Sequence, residues 1–278
     1  PLNDGPQTFT LSYTNSTIVG APTASSSHDG WNLIGNPYPC PIDYSVEAGW
    51  DKTNILAPLY FFKPTTLYYG VEYMWVPVGG GYGVSIPEGL SPVVGAMQSF
   101  FVKTENEAKH GSTLTVNNLA RTPITNPNHY KKSNTVYPYQ LRLQVENRIT
   151  KRDDQTLIYF AKGATIGYDP QMEAFKTISD DPDMPFIYSK VKNFTTNETH
   201  YLAINALPYP KEDIEIPLTI ALREASAYII KPMQMPAFFA GESVWLEDRV
   251  DGKMQNLSEN PAYIINLAKG THADRFFI

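Results

Sequence analysis

Five histidines and one cysteine are the groups in this chain best suited to ligate a metal or to serve as base and nucleophile. None of His28, His110, His129, His200 and His272 has a second His, or a Cys, at metal-ligand spacing, so no metal site is assigned. His28-Asp29 adjoins Ser25, Ser26 and Ser27, which supplies the residue types of a hydrolase triad. Triad members come from distant sequence, but no Gly-x-Ser-x-Gly elbow presents a serine here, and solvated turn residues are the preferred reading. Cys40 lies between Pro39 and Pro41 with no base or helix start beside it to lower its pKa, and it reads as a half-buried free thiol. Asp180, Asp181 and Asp183 are the hard oxygen donors that calcium takes. Pro182 and Pro185 interrupt that run, and a solvated loop is expected, with calcium the alternative; Asp153-Asp154 reads as solvated too.

Tyr68, Tyr69, Tyr73, Trp75 and Tyr82 form the one stretch whose rings suit ligand stacking. Alternation places Tyr69, Tyr73 and Trp75 on one face of a strand, and Tyr73 and Trp75 are expected in the core. Tyr82 falls in the glycine-rich run Gly79-Gly80-Gly81 to Gly83, read as a flexible loop that exposes the ring. Tyr68 and Tyr82 are therefore the candidate ligand-binding residues, and no catalytic or cofactor-binding residue is assigned. The expectation is that the chain is not an enzyme and needs no cofactor.

These residues must be positioned by strands. Phe9, Leu11 and Tyr13 alternate with polar residues, as do Leu141, Leu143 and Val145, and Ile214 through Leu222. A two-residue period describes strands with one face buried. Shorter apolar runs, Leu157–Phe160 and Tyr263–Ile265, suit strands near a sheet centre. Asp251-Gly252 is a hairpin signal, and Pro217 marks its strand as an edge or a bulge. Helical signal is confined to single turns after Asp169-Pro170 and over Asp43–Trp50. The polar, proline-containing run Arg121–Asn134 reads as a linker. The expected organisation is all-β with two β-sandwich domains in tandem, immunoglobulin-like or jelly-roll, over 1–122 and 136–278 with a linker at 123–135.

Composition narrows function by exclusion. The formal charge of −6 and the lack of a basic cluster argue against nucleic acid. No apolar run has the length of a membrane span. A single cysteine forms no intrachain disulfide and leaves the redox compartment open. The chain starts at Pro1 without a signal peptide and reads as a segment of a longer precursor.

Four strings carry a resemblance. They are Gly30-Trp31-Asn32-Leu33-Ile34-Gly35-Asn36-Pro37-Tyr38-Pro39 with Pro41-Ile42-Asp43, and Met97-Gln98-Ser99-Phe100-Phe101-Val102-Lys103. The others are Leu141-Arg142-Leu143 with Ala164-Thr165, Gly167-Tyr168-Asp169 and Glu173-Ala174, and Ile204-Asn205-Ala206-Leu207-Pro208 with Ile216-Pro217-Leu218. Together they resemble the β-sandwich region that precedes the type IX secretion sorting domain in exported cell-surface and adhesin-like proteins of the Bacteroidetes. Cys40 and Glu173 depart from that pattern, which often has a small polar residue and Asp there. The resemblance implies an extracellular or outer-membrane surface location, with no catalytic residues to carry over. It makes a structural and adhesion-type module the expected function, with a protein or glycan at the cell surface as partner. The aromatic stretch makes a carbohydrate-binding module of a larger secreted glycan-degrading protein the alternative.

Overall fold

The computed structural model describes residues 5–13, 29–63, 71–79, 82–105, 111–123, 137–178, 181–235 and 243–278. Apart from two 3-10 turns, Glu47–Gly49 and Asn118–Ala120, every regular element among them is a strand, so the chain is all-β. The turn expected over Asp43–Trp50 is present only as Glu47–Gly49, and Asp169-Pro170 starts no helix. A short helix gains little against its nucleation cost, and Ala174–Phe175 pairs as a strand instead. Contacts divide the chain into two compact units: Pro1–Lys63 with Glu72–Val136 and Pro170–Met172, and Pro64–Val71 with Tyr137–Asp169 and Glu173–Ile278. The expected linker lies outside the described residues except for Pro123.

In the first unit, β1 (Gln7–Thr10) and β4 (Trp50–Thr53) flank β10 (Thr113–Val116) in an antiparallel sheet. A five-stranded sheet is built from β2 (Trp31–Gly35), β5 (Leu59–Lys63), β6 (Val71–Gly79), β7 (Tyr82–Ile86) and β9 (Ser99–Lys103), in the order β2-β9-β5-β6-β7. A third, two-stranded sheet pairs β3 (Ile42–Asp43) with β8 (Val93–Val94). All three sheets feed one core: Trp50, Leu114 and Val116 from the first, Ile34, Phe61, Trp75 and Phe100 from the second, Ile42 and Val94 from the third. Tyr44, Trp50 and Phe100 meet edge-on or tilted with ring centroids 5.0 to 6.1 Å apart, the arrangement that aromatic quadrupoles favour. Asn32 extends the sheet edge with its side chain. Its Oδ1 accepts from Ser12 N at 3.1 Å and its Nδ2 donates to Ser12 O at 3.0 Å, as a neighbouring strand would.

The second unit is one sheet. Its strands are β11 (Gln140–Asn147), β12 (Asp153–Phe160), β13 (Ala174–Phe175), β14 (Phe186–Lys192), β15 (Thr199–Leu207), β16 (Pro217–Leu222), β17 (Ser226–Gln234), β18 (Trp245–Asp248), β19 (Lys253–Asn256), β20 (Tyr263–Leu267) and β21 (Gly270–Phe277). The order is β19-β18-β21-β16-β14-β15-β12-β11-β17-β20, with β13 also on β15. Leu246 of β18 and Tyr263, Ile265 and Leu267 of β20 belong to the same core cluster although they lie near opposite ends of that path. The sheet therefore curls round one core into a near-barrel. β12 and β15 run parallel, and the other strand pairs of this sheet among the described residues are antiparallel.

Three strand readings change. β16 begins at Pro217 and is central, between β14 and β21. A proline opening a strand removes no ladder bond from its interior, and a register shift against β21 supplies the bulge. Tyr263–Ile265 lies in an end strand of the path, not a central one. In β11 the polar residues Gln140, Arg142 and Gln144 are buried like their apolar neighbours, with Gln144 Nε2 bonding Asp153 at 2.6 Å across the strand pair. The hairpin at Asp251-Gly252 forms as expected between β18 and β19, with Gly252 at φ +63.

Candidate functional site

The motif strings are taken up by architecture. Asn36 Nδ2 lies 2.9 Å from both Cys40 O and Gly95 O and 3.3 Å from Val94 O, and Asn36 Oδ1 accepts from Tyr38 N at 2.9 Å. The Pro37 and Pro39 peptides offer no N–H of their own, so one amide side chain ties the stiff exit of β2 to the end of β8 and the residue after it. The Tyr38 hydroxyl lies 3.1 Å from Val116 O and from Gly5 O. Asn36→Ala is expected to strand these buried groups and lower stability by about 2–4 kcal/mol, read as a lower midpoint in chemical denaturation with Asn36→Asp as comparison. Cys40, half-buried, packs against the same core.

The aromatic stretch separates. Tyr68 lies outside the described residues, as does the side chain of Tyr82. The Tyr82 backbone is not in a loop but opens β7 opposite Gly79. Trp75 is core as expected, and Met74 on the opposite face is buried too, 3% exposed each. Gly83 is there for space rather than flexibility: a Cβ on it would stand 2.2 Å from the Trp75 indole.

In the second unit two of the acids read as solvated, Asp154 and Asp181, are taken up by partners. Asp154 bonds Lys176 Nζ at 2.6 Å and accepts from Ile187 N at 2.8 Å. Asp181 is buried, lies 3.4 Å from Arg152, and accepts from Asp183 N at 3.0 Å; Asp180 lies outside the described residues. Glu173, fully buried, accepts from Asp169 N at 3.0 Å and Ala206 N at 3.3 Å, and burial pushes its pKa up to about 8. Asp169 in turn accepts from Thr165 N at 2.7 Å. His200 is buried with its ring 4.2 Å from that of Tyr168 and 5.3 Å from Phe175. His28, His110 and His129 lie outside the described residues. Among the described residues no three His, Cys, Asp or Glu side chains stand close enough to hold a metal ion.

What the second unit does offer is a pair of concavities beside the segment 208–216, which links β15 to β16. One groove, about 590 Å³, is lined by Glu212, Ile214, Trp245, Glu247, Met254 and Phe277 among others. The other, about 390 Å³, is lined by Lys190, Asn205, Tyr209, Glu212 and Ile214 among others. Both are of the size that holds small ligands. Trp245 is 46% exposed although it sits in a strand. Alternation along β18 turns Leu246 and Asp248 inward and leaves Trp245 and Glu247 outward, with Met254 opposite Glu247 in the register. Arg249 bonds both Glu247, at 3.0 Å, and Glu215, and its guanidinium stacks 3.5 Å from the centre of the Phe277 ring. Glu212 and Asp213 are exposed and stand in no ion pair among the described residues. The alternation Trp245-Leu246-Glu247-Asp248 held the signal for this outward indole, because Trp shares its face with a charged residue.

A family model described as a domain of unknown function, DUF8693, matches residues 1–278. No curated protein and no solved structure matches the chain.

Proposed function

The chain belongs to the DUF8693 family, and from that premise we propose that it is a non-catalytic structural and adhesion-type module of an exported bacterial surface protein, built as two sandwich-type units in tandem. The observation that carries the reading is the use made of the motif strings. Asn36, Asp169 and Glu173, the polar residues of those strings with the greatest chemical capacity, bond to backbone groups and brace loops against strands. Such residues hold loops and strand exits in shape, which is the work of a structural module. A second reading, a carbohydrate-binding module of a larger secreted glycan-degrading protein, draws on the half-exposed indole of Trp245 at one groove. The first reading is tested by fractionating cells that express the full-length gene product. The protein is expected in the outer-membrane or extracellular fraction and to be cleaved by protease added to intact cells. Recovery in the cytoplasm, protected from protease, overturns it.

A further inference from the structure

The geometry points to the groove beside Trp245 as a binding site for a neutral saccharide, with the indole as the platform for one pyranose ring. This rests on the adhesion reading above for its biological setting, and it names the chemistry of the partner.

The platform is rigid. β18 is paired with β19 along its length and with β21 at Glu247 and Asp248, which fixes the strand that carries the indole. An indole face suits the C–H face of a sugar ring, and Trp245 keeps 46% of its surface in solvent to offer it.

The polar groups around the platform are acceptors. Glu215 and Glu247 are tied up by Arg249, whereas the exposed carboxylates of Glu212 and Asp213 line the same groove without an ion pair among the described residues. Hydroxyl donors satisfy them, and anionic ligands are repelled by four acids against one arginine on a chain of net charge −6.

An independent feature points the same way. In the adjoining cavity Asn205 is 2% exposed and its Oδ1 has no hydrogen-bond partner among the described residues. A buried acceptor of this kind calls for a donor. Tyr209, 42% exposed, lines that cavity and supplies a second ring. Glu212 and Ile214 line both concavities, so the two lie side by side along the same segment.

The test titrates the whole chain with short cello-, xylo-, manno- and N-acetylglucosamine oligosaccharides, by calorimetry and by tryptophan fluorescence. At least one neutral series is expected to bind with a change in emission. Trp245→Ala is expected to weaken that binding at least ~10-fold while leaving the circular dichroism spectrum and melting temperature unchanged. Glu212→Gln and Tyr209→Ala are expected to weaken it several-fold, and sulfated or uronic acid oligosaccharides to bind less well than neutral ones. The proposal is overturned if none of the neutral series binds, if binding survives Trp245→Ala, or if the patch instead mediates a dimer that Trp245→Ala abolishes in sedimentation. Surface display of the full-length protein is read separately, so export stands or falls on its own result.

Discussion

Replacing Arg275 by methionine is expected to destabilise the second unit by about 3–5 kcal/mol, because it leaves a charge buried and unpaired. Asp248 is fully buried, and Arg275 holds it through two bonds, Nε at 2.8 Å and Nη2 at 2.7 Å. The Tyr263 hydroxyl donates to the same carboxylate at 3.0 Å, and Val250 N and Asp251 N at 3.1 and 3.2 Å. One carboxylate thus joins the β18–β19 hairpin to β21 and to β20. Arg275→Met/Asp248→Asn should recover part of the loss, since no bare charge remains; full additivity in denaturant midpoints would contradict this account. Burial alone would raise the Asp248 pKa, but the bonds from Arg275, Asp251 N and Tyr263 outweigh it and hold the carboxyl below the usual range. A depressed acid stabilises the fold above its unfolded value, near 4, and that contribution is lost as pH falls through the folded value. Acid unfolding of the wild-type chain is therefore expected to set in below about pH 4, and Asp248→Asn should show a shallower dependence there.

Glu173 has the opposite sign. Its folded pKa of about 8 lies above the unfolded value, so the folded state holds a proton that the unfolded chain releases. Stability is then full below about pH 4.3 and falls as pH rises to about 8, by as much as roughly 5 kcal/mol if no other group compensates. Glu173→Gln keeps the acceptor that Asp169 N or Ala206 N needs and removes the titration. The variant should match the wild type near pH 5 and exceed it near pH 8 in urea midpoint. A wild-type midpoint that does not fall between those values would sink the idea. The two carboxyls together place the stability maximum of this unit on the acid side of neutrality.

The strands were legible because their period is local. Leu141, Leu143 and Val145 do face the core, and Asp251-Gly252 does turn a hairpin. What two-residue alternation does not carry is the identity of distant partners. Asp154 reads as a loop acid until Lys176 arrives from beyond β12, and Asp181 until it meets Arg152, just before β12. Position in the sheet is also non-local: Pro217 suggests an edge or a bulge, and β16 is central, with its proline on the first residue and a register shift against β21. The candidate site was missed for a related reason. Attention to ring density favours Tyr68 to Tyr82, whereas the groove needs only single rings, Trp245 and Tyr209, brought beside one linking segment by the curl of the sheet.

The parallel pairing of β12 with β15 has a consequence for how fast this unit can form. Parallel neighbours cannot be joined by a tight turn, so the chain must travel from Phe160 to Thr199 and return before Leu157 meets Ile204. Closing so long an excursion is an entropic barrier that slows folding more than it weakens the final state. The Lys176–Asp154 pair and the Glu173–Ala206 bond pin the middle of that excursion to β12 and β15. Once either contact is made, one large loop becomes two smaller ones, and the search for the remaining strand pairs is shortened.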